Sequence, residues 1–222
     1  MKAIRVLSTK KLLVNQKQYL LNAGLSVVEA DFISIQHVPF EVTAMHQNLI
    51  FTSTNAFKSF LLNNKSKSHK DKIIFCVGSK TKEAIEKAGY TVLAYADYAE
   101  QLADIIIKKH SGKSFTFFSG SMRRDTLPKA LANANIDFNE AEVYKTVLSP
   151  HIINNKLDGI LFYSPSGVES YIKNNKIHKE VCFCIGITTA NALKGITDNI
   201  VIANKPTLEN VIIQCLNYYT NK

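Results

Sequence analysis

The chain has 222 residues, of which 46% are hydrophobic and 20% are charged. These fractions are those of an ordinary globular protein, and they exclude an intrinsically disordered chain, a collagen and a low-complexity scaffold. Lysine and arginine outnumber aspartate and glutamate by 27 to 18, and the net charge of +9 indicates either an anionic partner or a basic surface that aids solubility.

Short apolar strands alternate with amphipathic helices along the whole chain. The strands of the first half are predicted near 3–7, 26–30, 32–36, 49–52, 73–77 and 91–94, and its helices near 10–23, 54–62, 80–88 and 99–109. The strands of the second half are predicted near 115–118, 136–140, 142–148, 159–163, 181–185 and 200–202, and its helices near 124–134, 166–173, 188–194 and 207–219. This alternation predicts an α/β fold with parallel sheets covered by helices on both faces.

The two halves are copies of one unit of about 111 residues. When the chain is shifted by 111, fourteen of the first 65 positions are identical to their mates, including Ser53 with Ser164 and Pro39 with Pro150. Chance would give about four identities, at roughly 6% for average composition. After a three-residue gap the match continues, with Cys76-Val77-Gly78 on Cys184-Ile185-Gly186.

The domain boundaries are predicted where the alternation of strand and helix breaks. Residues 31–36 and 142–148 are extended, each follows a strand with no helix between, and we interpret them as two linker strands. One domain is then 37–141, and the other combines 1–30 with 149–222. The sequence therefore predicts two doubly wound parallel-sheet domains that arose by internal duplication, joined by a two-stranded linker with a cleft between them.

Several classes of protein do not fit the sequence. No apolar run approaches the ~18 residues of a membrane span, and the first residues do not resemble a signal peptide, so we expect a cytoplasmic protein without a membrane partner. Cys182 and Cys184 lie in a strand-like run and are expected to be structural, and the six histidines are scattered singly, so no metal site is expected. No dense basic run carries interleaved aromatics, which argues against nucleic acid as the partner.

Small hydroxyl residues and glycines follow several predicted strands and open the next helix. Ser53-Thr54-Asn55 has the repeat mate Ser164-Pro165-Ser166, while Gly78 and Gly186 precede a second pair of helices. Such residues are preferred helix caps, and capping alone explains any one of them. Two matched sets at strand carboxyl ends favour an anion site built from free N–H groups and hydroxyls.

These segments, taken in order, resemble the uroporphyrinogen-III synthase family. The resemblance covers nearly the whole chain and rests on FTSTNAF, CVGSKTKEAIEKAGY, SGSMRRDTLPKAL, VYKTV, LFYSPSGVESY, CIGITTANALKG and ANKPTLENVI. It implies two α/β domains that face each other across a cleft. It also implies an enzyme that cyclises hydroxymethylbilane to uroporphyrinogen III, with inversion of ring D and loss of water, and that needs no metal or cofactor.

The resemblance implies roles for particular residues. Tyr144, in VYKT, matches the family's tyrosine that faces the cleft, and we expect it to donate a proton to the departing hydroxyl; the alternative is a linker tyrosine that only packs. The substrate carries eight carboxylates, and the residues expected to bind it are Ser53, Thr54, Asn55, Gly78, Thr81, Gly120, Arg123, Arg124, Ser164, Ser166, Gly186, Thr188, Thr189 and Thr207. Lys205 replaces the family's usual small residue, and Thr9-Lys10 stands where many members have an arginine.

Two other functions stay open from the residues alone. The first is a non-enzymatic two-domain binder of a small polyanion, which would have no need of Tyr144. The second is a nucleic-acid binder, which charge alone supports and the dispersed lysines disfavour. For the synthase we expect a polycarboxylate tetrapyrrole substrate and a monomer, and a transient contact with the upstream deaminase stays open.

Overall fold

The computed structural model describes residues 4–42, 44–63 and 69–220. The chain divides into two compact units, one formed by Met1–Ser34 with Val147–Lys222 and one formed by Ile35–Thr146. In chain order the elements up to residue 109 are β1 (Arg5–Ser8), α1 (Val14–Asn22), β2 (Ser26–Glu29), β3 (Ile33–His37), β4 (Asn48–Phe51), α2 (Thr54–Leu62), β5 (Ile73–Val77), α3 (Ser79–Lys87), β6 (Thr91–Ala96) and α4 (Ala99–Lys109). They are followed by β7 (Phe115–Gly120), α5 (Thr126–Asn133), β8 (Phe138–Leu148), β9 (Gly159–Phe162), α6 (Pro165–Ile172), β10 (Val181–Cys184), α7 (Ile187–Asn191), β11 (Ile200–Ile202) and α8 (Leu208–Thr220).

The two sheets share one strand order, which confirms the predicted α/β duplication. The first unit has the parallel order β2-β1-β9-β10-β11, and the second has the parallel order β8-β7-β4-β5-β6 with β3 added beside β8. Under the shift of 111, β1 corresponds to β7, β2 to β8 and β4 to β9. Each repeat copy therefore gives its front strands to one unit and its back strands to the other.

Helices cover both faces of the sheet in the second unit, because successive side chains of each buried strand point to opposite faces. Leu49 and Phe51 of β4 pack with α2 and α3 on one face. Ile50, between them in sequence, packs with α4 and α5 on the other face. A strand that is buried on both faces has apolar residues at successive positions. This explains why the sequences of the predicted strands do not alternate between apolar and polar residues.

The first unit repeats this arrangement around its own sheet. Leu161 of β9 packs with α1 and α8, and Ile160 and Phe162 pack with α6 and α7. Cys182 and Cys184 lie in the same cluster as Phe162, so the C-x-C pair faces one side of β10 as predicted. All four cysteines of the chain are reduced and buried, and burial raises the pKa of each thiol to about 12. They act as small apolar side chains of the core.

Two predicted element boundaries were wrong. Two strands were predicted at 136–140 and 142–148, but β8 is one continuous strand, and a register shift against β7 between Ser119 and Gly120 lies near the predicted break. The first helix was predicted from residue 10 but begins at Val14. The N–H groups of Lys11 and Leu12 donate to the carboxylates of Asp31 and Glu29 instead, which holds these residues in an extended loop.

The segments predicted as linker strands, 31–36 and 142–148, overlap β3 and the second half of β8. The N–H of Val38 donates to the carbonyl of Val143 at 3.0 Å, and the N–H of Ser149 donates to the carbonyl of Phe32 at 2.9 Å. The boundaries between the two units fall inside β3 and β8. Within the described ranges, none of the helices is long and apolar enough to cross a membrane.

Candidate functional site

The carboxyl ends of β4, β5 and β7 meet at one edge of the sheet of the second unit, because these parallel strands are neighbours. Helix α2 begins directly after β4, and the Oγ of Ser53 caps it by accepting a hydrogen bond of 3.1 Å from the N–H of Ala56. The hydroxyls of Thr54 and Thr81 lie 3.3 Å apart and join the first turns of α2 and α3. Gly78, which precedes α3 with φ of 88°, uses the left-handed conformation that glycine tolerates.

Tyr144 reaches this same edge from β8. In the parallel ladder Ser119 pairs with Glu142 and Gly120 pairs with Tyr144, so Val143 is an extra residue between the two pairs. The half-buried phenol lies over Gly120, and its OH is 3.1 Å from the Oγ of Ser53. A strand bulge thus brings the predicted proton donor against the capping hydroxyl of α2.

A pocket of about 290 Å³ opens beside the Tyr144 phenol. It brings together five of the predicted site residues, which are Ser53, Gly120, Arg123, Arg124 and Tyr144. The remaining lining residues are Thr52, Val77, Asp97, Tyr98, Ala99, Glu100, Phe117, Thr126 and Leu127. The pocket has five hydroxyl groups, two guanidinium groups and two carboxylates along its wall, so it is suited to a polar, charged ligand.

Arg123 is held by two carboxylates of its own unit. It donates to Glu140 through Nε at 2.5 Å and through Nη2 at 2.9 Å, and it also pairs with Asp125. The hydrogen bond to Glu140 is the main cause that raises the pKa of Arg123, and the hydrogen bond from Arg123 lowers the pKa of the exposed Asp125. A bidentate pair of this kind fixes the guanidinium plane at the pocket wall, and its expected contact with substrate stays a prediction.

The first unit carries a matching edge at the end of β9. The Oγ of Ser164 caps α6 by accepting a 3.0 Å hydrogen bond from the N–H of Gly167, and it lies 3.1 Å from the Oγ of Ser166. Pro165 occupies the first helical position, where the lost N–H costs nothing. The structure therefore brings the two predicted hydroxyls of SPSG into direct contact.

The other predicted residues of the first unit open α7 and α8. Thr207 accepts a 3.2 Å hydrogen bond from the N–H of Asn210 at the start of α8, and the side chain of Asn210 in turn accepts from the N–H of Lys205. Gly186 precedes α7, whose residue Thr188 is half-buried. Thr189 is only 1% exposed, and its hydroxyl has no hydrogen-bond partner among the described residues. Thr189 is therefore better placed for packing than for contact with a ligand at the surface.

Comparison with known proteins agrees with this arrangement. The family model of uroporphyrinogen-III synthase HemD matches residues 15–213. The chain belongs to the uroporphyrinogen-III synthase family.

Individual members of the uroporphyrinogen-III synthase family are only distantly similar in sequence. The porphyrin biosynthesis protein HemD of Ruminiclostridium josui is 25% identical over 191 residues, which are 76% of this chain but only 37% of that longer protein. The crystal structure of uroporphyrinogen-III synthetase from Helicobacter pylori 26695 matches with a TM-score of 0.74 at 21% identity, covering 97% of this chain and 99% of that one. A mutant uroporphyrinogen III synthase from the extremely thermophilic bacterium Thermus thermophilus matches with a TM-score of 0.67 at 13% identity, over 99% of both chains. These structures share the fold.

Two groups in this uroporphyrinogen-III synthase family member were not predicted from the sequence. Where β6 ends and α4 begins, the pocket of the second unit is lined by Asp97, Tyr98 and Glu100. Ser53 likewise lies where a strand ends and a helix begins. In the first unit the Oγ of Ser8 lies 3.2 Å from the OH of Tyr163 and donates to the carbonyl of Lys10. Burial is the main cause that raises the pKa of Tyr163. The repeat carried the signal for this second group, since Ser8 is the mate of Ser119, which directly precedes the predicted site residue Gly120.

Proposed function

We propose that this protein is a uroporphyrinogen-III synthase, which cyclises hydroxymethylbilane to uroporphyrinogen III with inversion of ring D and loss of water. The observation that carries the proposal is the family match over residues 15–213. The pocket beside Tyr144 supports it, because a phenol and two guanidinium groups lie where a polycarboxylate substrate could reach them. Family membership also favours a synthase over the non-enzymatic polyanion binder.

In the proposed reaction, Tyr144 donates its proton to the terminal hydroxyl of the bilane. The carbon–oxygen bond breaks, water leaves, and the lone pair of the adjacent pyrrole nitrogen stabilises the cation as an azafulvenium. The substituted carbon of ring D then forms a carbon–carbon bond to this centre and gives a spiro intermediate. The bond from the spiro carbon to the methylene carbon on ring C breaks, and that methylene carbon forms a new bond to the unsubstituted α-carbon of ring D, which closes the macrocycle with ring D inverted. The proton lost from this α-carbon on rearomatisation returns to the Tyr144 phenolate.

The protein's main contribution is to hold the bilane so that the substituted carbon of ring D is nearer to the cation than the unsubstituted end. The capping hydroxyls of Ser164 and Thr207 each accept from a helix N–H, so each keeps its own proton for a second partner. We propose that such hydroxyls, with the N–H groups around them, bind the substrate carboxylates. Arg124, at the wall of the pocket, adds a positive charge.

The remaining features of the proposal follow the family. We propose that the protein acts as a monomer in the cytoplasm on a tetrapyrrole that an upstream deaminase supplies, with a transient contact between the two enzymes. Gel filtration of the protein with and without that deaminase tests the oligomeric state and the contact together.

The proposal is tested by generating hydroxymethylbilane in the assay and separating the uroporphyrinogen isomers after oxidation. The synthase yields isomer III, whereas spontaneous closure yields isomer I. A polyanion binder would slow the closure of the bilane and leave isomer I as the product. Boiled protein and Tyr144→Phe are the matched controls.

A further inference from the structure

We propose that Gly120 and Ser53 are positioning residues for Tyr144. Gly120 provides the space in which the phenol ring lies, and Ser53 directs the phenol proton towards the pocket. The inference rests on the proposed function in one respect, which is that Tyr144 donates its proton to the leaving hydroxyl.

The space over Gly120 is the first observation. A Cβ placed on Gly120 would overlap the Cζ of Tyr144 and would lie 2.6 Å from both its Cε1 and its Cε2. Real Cβ atoms do not approach other atoms so closely. The backbone of Gly120 is not in the left-handed region, so its φ does not call for glycine. Glycine is required here because the ring of Tyr144 occupies the place of a side chain.

The bulge in β8 is the second observation. Without the bulge, Gly120 would pair with Val143, and Tyr144 would lie one position further along. With it, both Val143 and Tyr144 pack against the cluster of α2 and α3, although neighbours in a regular strand point to opposite faces. Bulges beside active sites re-aim side chains in this manner. The bulge and Gly120 together determine where the phenol lies.

The third observation is which hydrogen bonds the two neighbouring serine hydroxyls already make, and it distinguishes Tyr144 from Tyr163. Ser53 accepts from the N–H of Ala56, so its own proton is available for the phenol oxygen of Tyr144, and the phenol proton then stays available for a ligand. Ser8 instead donates to the carbonyl of Lys10, so Tyr163 must donate to Ser8. Of these two tyrosine–serine pairs, only Ser53 with Tyr144 retains a proton with no acceptor among the described residues.

The role of Ser53 is tested by a double-mutant cycle with Tyr144. We expect Ser53→Ala to lower kcat about tenfold with little change in KM, which is the effect of one lost hydrogen bond to a partly charged phenol oxygen. Ser53→Thr keeps the hydroxyl and should restore most of kcat. In a Tyr144→Phe background, Ser53→Ala should lower kcat no further. An equal loss in both backgrounds, or a raised KM with kcat intact, would show that Ser53 acts on the substrate directly and would overturn the inference.

The role of Gly120 is tested by stability, which does not depend on any reaction. Gly120→Ala should lower Tm by about 3 to 9 °C when Tyr144 is present, the usual result of overpacking in a chain of this size. In a Tyr144→Ala background the same change should lower Tm by about 1 °C or less, because the space is then empty. Equal losses in the two backgrounds would overturn the inference. If the wild-type protein gave only isomer I, the proposed function would be wrong. The Tm comparison would still show whether Gly120 makes room for the ring of Tyr144.

Discussion

At three helix starts of the candidate site, one hydroxyl oxygen satisfies a backbone N–H that the helix itself leaves unpaired. Ser53 does so for α2, Ser164 for α6 and Thr207 for α8. The hydroxyl proton is not used in these caps, so each residue can cap its helix and also donate a second hydrogen bond, to a ligand or, at Ser53, to the phenol oxygen of Tyr144. The sequence could therefore locate the hydroxyls without deciding between the two roles.

Some residue-scale features could not be read from the sequence. Arg123 was predicted as a carboxylate partner, but Glu140, seventeen positions away on β8, already binds it in a bidentate pair. The contact depends on how β8 lies beside β7, which no local pattern specifies. Tyr144 was found because a family motif marks it, while its contact with Ser53 depends on a bulge that has no signature in the sequence.

Tyr144 and Tyr163 form a matched pair for a test of proton donation. We expect Tyr144→Phe to lower kcat at least tenfold with an unchanged Tm, because the phenol proton is lost and the ring still fills its place over Gly120. Tyr163→Phe should leave kcat within about twofold, because the proton of Tyr163 is committed to Ser8. The measurement is the steady-state rate of isomer III formation for both variants. Equal losses in the two variants would refute the assignment.

At the scale of elements, the positions and types of strands and helices followed from apolar runs and helix-start residues. The predicted boundaries that were wrong are the ones that depend on tertiary contacts. The start of α1 depends on the carboxylates of Asp31 and Glu29, and the continuity of β8 depends on its pairing with β7. Local propensity alone carries no information about either contact.

The cap of α6 is expected to contribute measurably to the stability of the first unit. Ser164→Ala removes the acceptor for the N–H of Gly167 and should lower the free energy of unfolding by about 1 kcal/mol. Ser164→Thr retains an acceptor and should lose clearly less. Urea unfolding followed by circular dichroism measures both. If alanine and threonine proved equally stable, the hydroxyl would have no capping role.

The end of α4 predicts a pH dependence of stability. The ring of His110 lies edge-on to Phe75 at 5.0 Å, and burial, with smaller contributions from the charges of Lys113 and Lys109, lowers the pKa of His110 below its usual 6.5. The unfolded chain then takes up this proton more readily than the folded chain. Stability should therefore fall as the pH drops from about 6.5 through the lower pKa of folded His110, and should not change on this account above pH 6.5.

His110→Gln tests this dependence, because it removes the titrating group. We expect the urea midpoint of the wild type to fall more between about pH 7.5 and about pH 5.5 than that of the variant. All other groups are the same in both proteins, so their contributions cancel in the difference. Identical pH dependences would show that His110 does not contribute.

At the scale of the whole molecule, the internal duplication was the most informative feature of the sequence. The shift of 111 anticipated that two sheets would have one strand order, with each copy divided between two units. This worked because a duplicated fold repeats its buried pattern and its helix starts together. The cleft between the domains stays a prediction from the resemblance.

The net charge of +9 predicts that substrate binding depends on salt. Raising NaCl from about 0.1 M to about 1 M shortens the screening length from about 10 Å to about 3 Å. We expect KM for the polycarboxylate bilane to rise about fivefold while kcat changes little, because attraction between charges mainly affects binding. Sucrose at matched osmolality is the control. A KM that is independent of salt would mean that the basic surface does not take part in binding.

The central claim, that this protein closes hydroxymethylbilane with inversion of ring D, is tested most directly by the isomer composition of the product. Increasing amounts of the wild-type protein are added to a fixed supply of bilane, and the fraction of isomer III is measured at each amount. We expect this fraction to rise with the protein until isomer III is nearly the sole product. A product that remains isomer I at every amount of protein would contradict the claim.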